Sequence, residues 1–74
     1  MKVLTVESYS GTKAEEFPLR FYIDKKKINI ISIEKRWLTP ESRCFKVIGD
    51  DGYSYVLKYY AADDTWRLLT VGRL

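Results

Sequence analysis

Apolar and polar positions alternate along most of this chain, and helical periodicity is poor throughout. Phe17, Leu19, Phe21 and Ile23 alternate with Pro18, Arg20, Tyr22 and Asp24, and Phe45 and Val47 with Cys44, Lys46 and Ile48. Tyr55, Leu57 and Tyr59 alternate with Val56, Lys58 and Tyr60, and Trp66 and Leu68 with Arg67 and Leu69. A period of two, dense in Ile, Val, Tyr, Phe, Trp and Thr, is the pattern of half-buried strands. Polar clusters separate the runs: DKKK at 24–27, TPES at 39–42, GDDG at 49–52 and AADD at 61–64. Val3–Glu7 reads as a further strand that pairs across the sheet edge, and Ser8–Glu16 as a loop. The expected strands are about 2–8, 17–24, 27–37, 43–49, 53–60 and 65–71, joined as an antiparallel meander.

Register follows from parity, because a slip of one residue turns a strand inside out. Phe45 opposite Leu57 and Val47 opposite Tyr55 leave Asp50-Asp51-Gly52 as a three-residue loop. Gly52 then stands where such loops take a left-handed residue. Tyr59 opposite Trp66 and Leu57 opposite Leu68 leave Ala61–Asp64 as a four-residue loop. In the first hairpin, Ile23 opposite Ile28 and Phe21 opposite Ile30 gives an apolar face, but Ile31 and Ile33 have the wrong parity to continue it. An extra residue near Ile30-Ile31 restores that face, with Leu19 opposite Ile33 and Ile33 opposite Val47. Such a β-bulge would bend the long third strand.

A flat sheet of this size leaves its apolar face wet. The expected fold is therefore all-β, a small twisted antiparallel meander of five to six strands, closing into an SH3-like or partly open barrel. Its interior is expected from Phe21, Ile33, Trp37, Phe45, Val47, Leu57, Tyr59, Trp66 and Leu68, with Trp37 and Tyr59 near a rim.

Composition narrows the chemistry. Seventy-four residues, 46% hydrophobic, suit one small globular domain over 1–74. The chain has no His, which excludes histidine-based triads and zinc sites. Its single cysteine, Cys44, excludes an intrachain disulfide framework and suits a reducing, cytoplasmic setting. With Arg43 and Lys46 near it but no base, Cys44 is expected to be an inert thiol. No apolar run approaches the roughly 18–20 residues of a membrane span, and the N-terminal stretch turns polar too early for a secretory leader. The glycines at 11, 49, 52 and 72 are scattered and form no phosphate loop. Asp50-Asp51 and Asp63-Asp64 are read as turn residues rather than a cation site, because the spacing of a calcium loop is missing. No catalytic constellation, metal or cofactor is expected.

The net charge is +3, and its excess sits in residues 20–46, with eight Lys or Arg against three acids. Lys25-Lys26-Lys27 is read as a solvated hairpin tip. The outward face is expected to carry Arg20, Tyr22, Lys46, Val56 and Lys58, continued by Tyr60, Arg67, Leu69 and Val71, with Ile48 nearby. Parity puts Lys58 opposite Arg67 and Lys46 opposite Val56. The aliphatic members of this face point to a protein partner or a second copy of the chain. The leading expectation is thus a non-catalytic protein-binding or self-associating module. The alternative is a nucleic-acid-binding module, with cations for phosphates and rings for bases, using Arg20, Tyr22, Lys46, Lys58, Tyr60 and Arg67.

The strings VESYSG at 6–11, EEFP at 15–18, RW at 36–37, P-x-SRCFKV at 40–47, DDGYSYVLKY at 50–59 and W-x-L at 66–68 form an ordered pattern over nearly the whole chain. In that order they resemble a family of small uncharacterised bacterial proteins of cytoplasmic type. The chain departs from the family pattern at Thr12, Phe17 and Cys44, and again over Lys58-Tyr59-Tyr60. The resemblance implies a bacterial cytosolic setting and brings no activity with it.

Overall fold

Strands this short can bury an apolar face only by curling over it, and the chain does so completely. The computed structural model describes residues 2–9 and 17–73. It has six strands: β1 (Lys2–Tyr9), β2 (Phe17–Ile23), β3 (Lys26–Leu38), β4 (Arg43–Gly49), β5 (Tyr53–Tyr60) and β6 (Thr65–Arg73). They form a closed antiparallel barrel in sequence order, with β1 returning to pair with β6. The fold is all-β, as the alternation implies. The expected loop at 8–16 lies mostly outside the described residues, and β1 itself runs on to Tyr9.

Two bent strands make the closure. β1 gives Lys2–Leu4 to β6 and Thr5–Tyr9 to β2. β3 gives Lys26–Asn29 to β2 and its remainder, Ile30–Leu38, to β4. Each therefore belongs to two small sheets.

The later hairpins follow the expected registers. Phe45 faces Leu57, Val47 faces Tyr55, Leu57 faces Leu68 and Tyr59 faces Trp66. Gly52 adopts φ 85°, its N–H donating to the Gly49 carbonyl at 3.1 Å. Asp64 ends the Ala61–Asp64 loop with φ 54°.

The first hairpin differs. Phe21 faces Ile28 rather than Ile30, and Ile23 faces Lys26 rather than Ile28. The cause is a tighter turn: Asp24 takes φ 56°, so Asp24-Lys25 alone reverses the chain. Aspartate is among the few non-glycine residues that accept such a dihedral readily.

The bulge expected near Ile30-Ile31 is present at Ile31, and Ile33 faces Val47 as anticipated. Three further register shifts were not anticipated: they set aside Leu19 in β2, Glu34 in β3 and Leu69 in β6. Leu19 therefore does not pair with Ile33. The second bulge in β3 turns Trp37 out of the expected interior and onto the row of Cys44. The bulge in β6 moves Val71 from the expected outer face onto the row of Tyr55, at the open end of the barrel. Ile48, expected near the surface patch, is buried.

The core consists of Leu4, Phe21, Ile28, Phe45, Val47, Tyr55, Leu57 and Trp66, with Val6, Ile33, Tyr59 and Leu68 among the residues packed on it. Its rings meet at angles: Phe21 and Tyr55 are edge to face at 4.9 Å, and Trp66 lies 4.9 Å from Tyr59 and 5.6 Å from Phe45. Gly49 permits this closeness. A Cβ there would come within 2.7 Å of Ile28 Cγ2 and 3.0 Å of Tyr55 Cε1.

Candidate functional site

Directly paired residues on neighbouring strands share a face, so the pairings arrange the outer surface into rows. One row runs Lys35, Lys46, Val56, Thr70 across β3 to β6. The next runs Trp37, Cys44, Lys58, Arg67. Strands lie about 4.8 Å apart, so each row spans about 14 Å.

The cations of these rows lie beside two rings, Trp37 on the second row and Tyr60 on the row beyond it. Lys35 Nζ sits 6.0 Å from the centre of the Trp37 ring. Tyr60, two residues beyond Lys58, has the Lys58 Nζ at 5.7 Å and the Arg67 guanidinium at 5.2 Å from its ring centre. Both distances fall in the range where a cation is attracted by the ring quadrupole. Among the described residues, Lys35, Lys46, Lys58 and Arg67 make no salt bridge.

The carboxylates of β4 to β6 are occupied at the turns. Asp50 accepts from Asn29 N at 3.3 Å and Asn29 Nδ2 at 3.0 Å. Asp51 accepts from the Tyr53 N–H at 3.1 Å and from the Tyr55 hydroxyl. Tyr59 donates to Asp64 and Thr65 to Asp63, each at 2.7 Å. Partial burial raises the Asp51 carboxyl, but the bonds from Tyr55 and Tyr53 outweigh it and leave its pKa below the ordinary value. The Tyr55 phenol moves upward, first through burial and then through its bond to that carboxylate. The acid pairs thus act as turn braces, the reading given to them from the sequence. Among the described residues, no group of three Cys, Asp or Glu could hold a metal ion.

The expected partner-binding residues divide into two sets. Lys46, Val56, Lys58, Tyr60, Arg67 and Leu69 lie together on β4 to β6, with Lys58 facing Arg67 and Lys46 facing Val56 as expected. Arg20 and Tyr22 lie on the other sheet. There Glu7 accepts from Arg20 Nη1 at 2.5 Å and from the Tyr22 hydroxyl at 2.8 Å. Arg20 Nε also donates to Asn29 Oδ1 at 3.2 Å. The Tyr22 and Arg20 bonds hold the Glu7 carboxyl below its ordinary pKa, and the same carboxylate raises the Tyr22 phenol. Arg20 is already neutralised where it stands.

Sequence reasoning missed Lys35 and Trp37. Both reach the face because Glu34 is set aside as a bulge; without that shift their parity points inward. The charged run Glu34-Lys35-Arg36, which interrupts the isoleucine-rich middle of β3, was the only signal.

Cys44 is buried although its row faces outward, with Trp37 and Lys58 as its cross-strand neighbours. Ser42 Oγ lies 3.9 Å from its sulfur and 2.6 Å from Thr39 Oγ1, within the turn that joins β3 to β4. A thiol covered in this way is not presented for reaction. Beside Lys35, where β2 and β3 part, lies an open cleft of about 500 Å³ lined by Phe17, Ile33, Glu34, Lys35 and Arg36. No family model, no curated protein and no solved structure matches this chain.

Proposed function

We propose that the barrel is a non-catalytic binding module whose ligand is a nucleic acid, held on the outer face of β3 to β6. One observation carries this reading: four cations, Lys35, Lys46, Lys58 and Arg67, share two adjacent rows with Trp37, with Tyr60 on the row beyond, and have no carboxylate partner among the described residues. Clustered like charges repel one another across strands, a cost that a polyanion removes. The cytoplasmic, bacterial setting implied by the family resemblance belongs to the same proposal.

Binding of a labelled oligonucleotide, followed by anisotropy at 50 and 200 mM salt, tests it. Contact with about three phosphates gives a slope of log affinity against log salt near −2 to −3. Lys46→Glu should weaken binding and flatten that slope by about one. Salt-independent binding, or a Lys46→Glu chain that binds as tightly as the parent, would overturn the proposal.

A protein partner or a second copy is the other reading, and Leu69 favours it: an aliphatic side chain, 45% exposed, left unpaired at a bulge beside Val56. Sedimentation of the chain and of Leu69→Asp separates the two. A dimer lost in Leu69→Asp, together with no oligonucleotide binding, would favour self-association.

A further inference from the structure

The rows of the outer face separate its two aromatic residues by role. Tyr60 is half-buried and clasped by Lys58 and Arg67, so its ring already serves to hold those cations. Trp37 is 37% exposed and, among the described residues, its cation contact is the longer one with Lys35. An indole is the largest apolar group a chain can carry, and in a domain of this size the interior would use it. Trp66 shows that use, buried between Phe45 and Tyr59. Trp37 is instead turned outward by an extra residue, Glu34, placed four positions short of the strand end.

We infer that the nucleic acid is bound as a single strand, with an unpaired base stacked on Trp37 and phosphates at Lys46, Lys58 and Arg67. This rests on the proposed function and narrows its ligand. A duplex keeps its bases stacked inside and would leave an exposed indole without a partner, whereas a single strand offers bases whose faces are free. The described residues contain no helix to enter a groove. The shared row of Trp37, Lys58 and Arg67 sets the Trp37 backbone about 10 Å from that of Lys58 and about 14 Å from that of Arg67. That span suits the short end of the range of about 4–16 nucleotides that small barrels hold. Lys35, beside the indole, would neutralise a phosphate flanking the stacked base.

The test uses the intact chain with an eight-residue oligothymidylate and a hairpin duplex of equal charge. Tryptophan emission should be quenched by the single strand, and the quenching should vanish in Trp37→Phe, which keeps the buried Trp66 as an internal reference. Trp37→Ala should weaken single-strand affinity about 5- to 150-fold, the range for one lost base stack, and leave duplex affinity unchanged. Trp37→Phe should retain most of the affinity, and thermal melting of both variants checks that they fold. Equal binding of duplex and single strand, with Trp37→Ala without effect, would overturn the inference and leave the cationic face standing. Failure of both nucleic acids to bind would overturn the face as well.

Discussion

The two sides of this barrel carry similar residues and end in different electrostatic states. On the outer face of β1 and β2, Arg20 and Tyr22 converge on Glu7, and Asn29 takes the remaining Arg20 contact. On the outer face of β3 to β6, lysines, an arginine and two rings assemble with no carboxylate paired to them among the described residues; Glu34 of β3 accepts instead from the Ser32 hydroxyl at 3.2 Å. A list of basic and aromatic positions treats both sides alike. What separates them is where the acids go. Glu7 lies directly across from Arg20, while Asp50, Asp51, Asp63 and Asp64 are drawn to the turns by Asn29, Tyr55, Thr65 and Tyr59. A cation is available to a ligand only where the fold leaves it unpaired.

The two sides share one interior, so the largest effect should not distinguish them. Phe21 from β2 and Leu57 from β5 are both fully buried. Phe21→Ala should cost about 3–5 kcal/mol and Leu57→Ala about 2–5 kcal/mol, read from urea unfolding midpoints. A small domain has about 5 kcal/mol to lose, so the Phe21 variant should be largely unfolded at 37 °C. A marked difference between the two, with one near zero, would show that the sheets do not close on a common core.

Binding should separate the sides next. Lys58→Glu combined with Arg67→Glu should lower oligonucleotide affinity by about two orders of magnitude at low salt and flatten the salt slope by about two. Arg20→Glu should change affinity only a few-fold, since Arg20 has already been neutralised by Glu7. Equal losses from both sides would mean that net charge, not this face, drives binding.

The acid limb of stability offers a smaller contrast. The Asp51 and Glu7 carboxyls are both held below their ordinary pKa in the folded chain. Their stabilising contribution is therefore present above the ordinary carboxylate range and lost as pH falls through the lowered folded values. Asp51→Asn should flatten part of the decline in urea midpoint between neutral pH and pH 3. Glu7→Gln should flatten it less, because the Glu7 cluster is exposed and screened by water and salt. At neutral pH, Glu7→Gln should leave the thermal midpoint nearly unchanged, the smallest effect of the set.

Much of this architecture was legible beforehand, and the residues show why. Phe45, Val47, Tyr55, Leu57, Tyr59 and Trp66 alternate without interruption, and the glycine of GDDG falls where a three-residue turn needs it. Pattern and turn chemistry agree there, so both later hairpins followed. Parity misled beyond three residues that were set aside, Leu19, Glu34 and Leu69. Leu19 and Ile31, both set aside, are 36% and 65% exposed although each sits in an apolar pattern, while Leu69, 45% exposed, stays on the outer face expected of it. Only the bulge at Ile31 announced itself, because the isoleucines around it changed phase. Glu34 gave no such sign, and with it went the placement of Lys35 and Trp37.

From the order of residues alone came a count of five to six strands, and the turns and registers of the last two hairpins, because alternation and turn preference act over a few neighbours. A small barrel, SH3-like or partly open, was expected too; that the ring closes fully through β1 and β6, the positions of three of the four bulges and the pairing state of each surface cation came only with the tertiary structure. A sheet must twist and bend by a set amount to return β1 to β6, and the residue that yields to that demand is chosen by the whole ring of strands. Which carboxylate reaches which cation is then a matter of distance across strands, which no local pattern records.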